Sequence, residues 1–201
     1  MELKKLEPQH KKAILKISDF LSLGEFYLAG GTALYYYLKH RKSLDLDFFS
    51  NKIFDFINFK ELFSRFETSQ LSNDTIYTSI EGIKVSFFYY PYPLIKPLNH
   101  LEIIKVASLE DIGAMKVLSV IQRGSKKDFV DLYFIIRKLR LSANDLIKLF
   151  TKKYGKFNPL IIQKALVFFE DANNEPDLIM IKKTDWSKIK QYFMFNFGKL
   201  D

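Results

Sequence analysis

Cysteine is absent from the 201 residues. That excludes disulfide frameworks, thiol catalysis and Cys-ligated zinc together. Histidine is scarce: His10, His40 and His100 lie far apart and make no metal-ligand spacing. Long apolar runs are missing as well. The longest uncharged one, Phe26 to Leu38, is cut by Gly30-Gly31 and falls short of the ~20 residues a membrane span needs. Met1-Glu2-Leu3-Lys4-Lys5 leads into no apolar segment, so no secretory leader is expected. The expectation is a cytoplasmic protein with no membrane partner. A phosphate-loop lysine motif and a dinucleotide glycine fingerprint are both lacking, which disfavours ATPase and dehydrogenase readings. No internal repeat or low-complexity segment is visible.

What is present is globular: 48% hydrophobic, 27% charged and 16% aromatic residues, with 20 Phe and 11 Tyr to build a core. The net charge of +8 is uneven. Residues 1–110 carry 14 Lys/Arg against 13 Asp/Glu, and residues 111–201 carry 17 against 10. A polyanion is the natural partner for the second half. A solvated Lys-rich helical surface would give the same count.

Periodicity predicts helices over 8–22, 33–39 and 54–66, and strands over 26–29, 44–49, 75–80, 83–90 and 101–106. Glu81-Gly82 is the expected hairpin turn. From Ser108 onward the pattern is helical. A capped helix runs to Arg123 and stops at Gly124-Ser125. Further helices are expected over 126–139, 142–154, 159–170 and 185–195. Mixed α/β elements followed by helices alone make an α+β fold with a helical C-terminal half.

The stretch that carries chemistry is Leu28-Ala29-Gly30-Gly31-Thr32, followed twelve residues later by Asp45-Leu46-Asp47-Phe48-Phe49. Asp45 and Asp47 at i and i+2 on a strand share a face, roughly 6–7 Å apart. Such a pair suits divalent ions that bind a triphosphate. Gly30-Gly31 at a strand-to-helix junction lets backbone amides approach phosphate, and Thr32 adds a hydroxyl. Leu44, Leu46, Phe48 and Phe49 predict a deeply packed strand, where two like charges need a cation. Downstream, Lys116 and Arg123 are seven residues apart on one helix face. Lys127 with Asp131, and Asp128 with Asp131, also fall on one side. The same residues could instead form an internal salt-bridge cluster.

Gly30-Gly31-Thr32-Ala33-Leu34, His40-Arg41-x-Ser43-x-Asp45-x-Asp47-Phe48-Phe49, and the block Lys116…Arg123…Lys127-Asp128-x-x-Asp131-Leu132 together resemble the AbiEii/AbiGii toxin-type nucleotidyltransferases. These belong to the DNA polymerase β-like superfamily. The likeness spans about residues 24–137. It implies a small mixed β-sheet nucleotidyltransferase core flanked by helices over residues 1–107, and a helical region over 108–201 that contributes to the active site. It also implies Mg²⁺-dependent transfer of a nucleoside monophosphate from a nucleoside triphosphate to an acceptor hydroxyl. On this reading Asp45 and Asp47 hold Mg²⁺. Gly30, Gly31, Thr32, Ser43, Lys116 and Arg123 bind the nucleotide, and Asp128 and Asp131 join Lys116 in catalysis. The family further implies a toxin with a cognate antitoxin and a tRNA acceptor.

One position departs from the superfamily. Ser86 stands on the strand where a third carboxylate is expected, leaving Asp128 or Asp131 as substitutes. The alternatives are a non-catalytic nucleotide- or RNA-binding module, and nucleotidyl transfer to a protein or small-molecule acceptor.

Overall fold

The computed structural model describes residues 5–53 and 56–198. The chain forms two compact units. The first contains residues 1–37, 43–93 and 97–107; the second contains 38–42, 94–96 and 108–201.

The first unit is built on seven strands: β1 (Tyr27–Ala29), β2 (Leu46–Ser50), β3 (Glu67–Leu71), β4 (Thr75–Ile80), β5 (Ile83–Tyr89), β6 (Asn99–Leu101) and β7 (Ile104–Val106). They form one mixed sheet in the order β3-β4-β5-β2-β1-β7-β6. β1 runs antiparallel to β2 and parallel to β7, and β2 runs parallel to β5. Alternation sorts the central strands by face. Leu46 and Phe48 of β2, Val85 and Phe87 of β5, and Ile76 and Ile80 of β4 are buried. Helices α1 (Pro8–Leu15), α2 (Ser18–Leu23) and α4 (Phe56–Phe63) belong to this unit. Phe20 of α2 and Phe63 of α4 meet Phe87 with ring centroids 5.0 and 5.6 Å apart. The aromatic content thus builds a tight core under one sheet face. The opposite face of β2 and β5 carries Asp47, Phe49, Ser86 and Phe88, all half-buried.

The expected β4–β5 hairpin forms. Glu81 and Gly82 adopt φ of 54° and 73°, as a two-residue turn with both central residues left-handed requires. The helix expected over 8–22 breaks into two at Ile17, whose φ of −125° is not helical. The strand expected over 101–106 is instead the hairpin β6–β7, turning at Glu102-Ile103. β3 was not foreseen: its exposed, polar Glu67-Thr68-Ser69-Gln70 shows no apolar alternation, as suits an edge strand. Residues 54–55 of the helix expected over 54–66 lie outside the described residues, as do residues 1–4 of the N-terminal segment.

The second unit is helical: α5 (Leu109–Arg123), α6 (Lys126–Leu139), α7 (Ala143–Tyr154), α8 (Pro159–Leu166), α9 (Glu170–Asn173) and α10 (Trp186–Phe197). Local chemistry sets the ends. Ser108 caps α5 by accepting from the Asp111 amide at 3.0 Å, and Gly124 closes it at φ 56°. Ser142 and Asp145 form a capping box on α7. Phe129, Leu132, Ile136, Leu146, Phe150, Ile162 and Phe193 are buried in one core. Segments 38–42 and 94–96 group with these helices. His40 O accepts from the Ile181 and Lys182 amides at 2.8 and 3.0 Å. Asp111 accepts from the Ile95 and Lys96 amides at 2.8 and 3.2 Å. Among the described residues no helix is long and apolar enough to cross a membrane.

Candidate functional site

In the first unit, β1 runs into α3 (Gly30–Leu38), so the helix begins at the glycine pair rather than at Ala33. Gly30 has φ +67°, and a Cβ there would lie 2.8 Å from Asp47 Oδ2. Two demands therefore converge on glycine: a left-handed backbone and room for a carboxylate. Asp47 is paired with Ala29 on β1 and with Ser86 on β5. Asp47 and the start of α3 are thus neighbours by register. The first amides of a helix have no partner within it and carry the positive end of its dipole. This corner of the sheet combines those amides with two carboxylates.

Asp45 precedes β2 by one residue and is exposed; Asp47 is half-buried. The strand packs deeply at Leu46 and Phe48, as the flanking residues predict, but Leu44 lies before it and is 57% exposed. The apolar alternation begins only at Leu46, so the pair faces outward and burial does not force a counter-ion on it. The Asp45 backbone is held from two sides. Thr32 Oγ1 donates to Asp45 O at 2.5 Å and lies 3.1 Å from Ser43 Oγ. His10 Nε2 reaches Leu44 O at 2.9 Å, while His10 Nδ1 lies 2.7 Å from the Tyr36 hydroxyl. Thr32, expected to donate to phosphate, is fully buried with its proton committed to that carbonyl. It positions Asp45 instead. Ser43 is half-buried beside it.

Ser86 lies in register beside Asp47, where a third carboxylate would complete an all-protein metal cage. Among the described residues no group of three or more His, Asp or Glu side chains gathers to hold a metal. Two carboxylates still fit Mg²⁺, which keeps waters and binds through one or two carboxylates plus substrate phosphates. The donor set suits an ion that arrives with a nucleotide.

In the second unit the downstream block closes into an ion-pair cluster. Asp128 and Asp131 on α6 are fully buried, and Lys116 on α5 keeps 8% of its side chain exposed. Lys116 Nζ bridges the two acids, 2.9 Å from Asp128 Oδ1 and 2.7 Å from Asp131 Oδ2. Arg123 donates Nε to Asp128 Oδ2 at 2.7 Å and Nη2 to Oδ1 at 3.0 Å. Asp131 receives two more partners. Arg41 donates through Nε to Oδ1 at 2.6 Å and through Nη2 to Oδ2 at 2.7 Å; His40 Nε2 lies 2.7 Å from Oδ1.

These contacts set the charge states. Burial alone would raise the pKa values of Asp128 and Asp131. The partners together outweigh it: Lys116 and Arg123 at Asp128, and Lys116, His40 and Arg41 at Asp131. Both carboxyls end below their usual range, Asp131 far below. Burial pulls Lys116 down, but the two acids lift it above its usual value. His40 ends lowered, because burial exceeds the pull of Asp131. It is therefore neutral at pH 7, with Nε2–H given to Asp131. Its buried Nδ1 has no hydrogen-bond partner among the described residues.

The structure thus brings Lys116, Arg123, Asp128 and Asp131 together and adds His40 and Arg41, to which the sequence assigned no role. Asp131 and Asp128 are saturated by cations, so they do not stand in for the acid missing at Ser86. Lys127, expected alongside Asp131, is exposed, and the ion pairs to Asp131 come from Lys116 and Arg41 instead. The signal for these two in the sequence is their place in the His40-Arg41-x-Ser43-x-Asp45-x-Asp47 motif, which names no partner for them. Their partner lies about ninety residues away.

The profile of the AbiEii family, nucleotidyl transferase toxins of type IV toxin–antitoxin systems, matches residues 13–103 and 93–199, and the chain belongs to this family. It is accordingly a nucleotidyltransferase that uses a nucleoside triphosphate. Protein aq_aa25 of Aquifex aeolicus (strain VF5) is 38% identical over 200 residues, 95% of each chain. Two solved structures share the fold. JHP933 from Helicobacter pylori is 17% identical at a TM-score of 0.55, covering 97% of this chain and 92% of that one. MenT4, a nucleotidyltransferase toxin from Mycobacterium tuberculosis H37Rv, is 14% identical at 0.53, covering 97% and 87%.

Proposed function

We propose that the chain transfers a nucleoside monophosphate from a Mg²⁺-bound triphosphate to a hydroxyl of an RNA acceptor, tRNA being the acceptor the family implies. The observation that carries this reading is the fit of Gly30 to Asp47: the start of α3 and an outward-facing carboxylate meet with no room for a Cβ. In the reaction the acceptor hydroxyl releases its proton to solvent and its oxygen bonds to the α-phosphorus as the bridging P–O bond to the β-phosphate breaks, and pyrophosphate leaves. Asp45 and Asp47 hold Mg²⁺, which would neutralise phosphate charge. The Gly30 and Gly31 amides bind phosphate oxygens, and Thr32 with Ser43 keeps Asp45 in place. Lys116 and Arg123 supply positive charge to the triphosphate. The cluster around Lys116 favours such a role because Asp128 and Asp131 hold its ammonium at one place, 2.9 and 2.7 Å from their oxygens.

The test is incubation with each labelled triphosphate and total RNA, with and without Mg²⁺. Label in RNA that requires Mg²⁺ and is lost in Asp47→Asn supports the proposal. Ser86 beside Asp47 favours a second reading, a module that binds nucleotide without turnover. Triphosphate binding without Mg²⁺-dependent pyrophosphate release would select it.

A further inference from the structure

We propose that Arg41 and His40 are positioning residues: they clamp the Asp131 carboxylate so that its second oxygen fixes the Lys116 ammonium at one point. The inference rests on the role of Lys116 given above.

Arg41 grips both oxygens of Asp131 side-on, Nε on Oδ1 and Nη2 on Oδ2. A planar fork on a planar carboxylate fixes its plane as well as its place. His40 adds a second donor to Oδ1. With its plane held, Oδ2 can present its remaining lone pair in one direction, and Lys116 Nζ lies there at 2.7 Å. Asp128, itself gripped by Arg123 through Nε and Nη2, holds Nζ from the other side.

An ammonium has three donors. Two are used by Asp128 and Asp131, and the third has no acceptor among the described residues. The arrangement is a fixed cation with one donor in reserve, as pre-organised electrostatic stabilisation requires.

The clamp is itself rigidly mounted. His40 O accepts from the Ile181 and Lys182 amides, the Lys42 amide donates to Ile179 O at 2.9 Å, and Arg41 pairs with Met180 as an isolated bridge. Arg41 Nη1 also donates to Lys42 O at 3.0 Å, and the His40 ring packs 5.1 Å from that of Phe134. Segment 38–42 therefore presents the fork from backbone tied down on both sides. A purely structural cluster needs none of this. Apolar side chains of equal volume usually serve stability as well as a buried ion network does.

A double-mutant cycle tests the clamp. Arg41→Lys keeps the charge and loses the fork; Lys116→Gln removes the cation. The readouts are kcat and nucleotide KM for label transfer to RNA, triphosphate affinity by titration, and melting temperature. Arg41→Lys is expected to lower kcat about ten- to a hundredfold, the scale for a misplaced catalytic group, with KM nearly unchanged and a folded protein. In the Lys116→Gln background the same change should cost nothing more, because Arg41 acts through Lys116. Should Arg41→Lys not fold, His40→Leu replaces it in the cycle, and His40→Gln, whose amide can donate to the same oxygen, is expected to restore turnover.

Parent-like kcat in Arg41→Lys, or losses that multiply independently with Lys116→Gln, would overturn the clamp and leave the role of Lys116 standing. Lys116→Gln with parent activity, or a parent that neither binds nor turns over any triphosphate, removes that role and the clamp with it.

Discussion

Gly30 and Asp47 are each intelligible only through the other. The positive φ alone makes Gly30→Ala cost about 1–2 kcal/mol, and the 2.8 Å approach to Asp47 Oδ2 adds a clash. Urea unfolding should show the full loss in Gly30→Ala and a smaller one when Asp47→Ala is also present, since only the clash is relieved. An undiminished loss in the double variant would assign the whole effect to the backbone. Asp47→Asn addresses the metal. With only two carboxylates available, Mg²⁺ alone is expected to leave the melting temperature nearly unmoved, while Mg²⁺ with the right triphosphate raises it by binding linkage. That rise should vanish in Asp47→Asn. A large shift with Mg²⁺ alone in the parent would mean that a metal site exists without nucleotide.

Helix α7 shows how one element can hold lysines of opposite meaning. Lys152, Lys153 and Lys156 look like one basic patch in the sequence. The structure buries Lys153 completely, 2.8 Å from the equally buried Asp111 Oδ1. Asp111 also accepts from the Ser108 hydroxyl at 2.7 Å and from the two amides of segment 94–96. Lys153 thus closes a buried network and is no RNA contact. Lys153→Met strands Asp111 and should cost about 3–5 kcal/mol, read as a drop in the urea midpoint. Lys152 and Lys156 are exposed, as are Lys182 and Lys183. Reversing these four should leave the melting temperature within a few degrees. If RNA is the acceptor, it should weaken RNA binding and flatten its salt dependence. RNA labelling at parent level after all four reversals would shift the acceptor to a protein or small molecule.

For the molecule as a whole, the ion-pair cluster sets the response to acid. His40 has its folded pKa below the ordinary 6.5 because burial outweighs Asp131. The unfolded chain therefore binds more protons below about pH 6.5, and stability falls as pH drops through that window. Asp128 and Asp131 have folded values below 3.8, where Lys116 and the other cations outweigh burial. Their contribution is present above that value and is lost as pH falls further. Stability should decline in two stages, and His40→Gln should flatten the first. An unchanged slope between about pH 6.5 and 5 in that variant would assign the first stage to another group. On the alkaline side burial lifts the Tyr36 hydroxyl to about 12. Its contribution is whole below about pH 10 and is lost as pH rises toward 12.

Elements whose signals are local are legible along the chain: the Ser108 and Ser142 caps, the stop at Gly124, the Glu81-Gly82 turn, the helices after 108 and the Gly-Gly and Asp-x-Asp stretches. Caps, turns and periodicity act within a few residues, so they can be read in order along the chain. It takes the assembled chain to show that Thr32 gives its hydroxyl to Asp45 O, that Lys153 is buried while Lys152 is not, and that His40 and Arg41 close on Asp131. The partner of a charged side chain is chosen by packing between segments far apart in sequence. Burial, which gives each such pair its strength, is a property of the assembled fold.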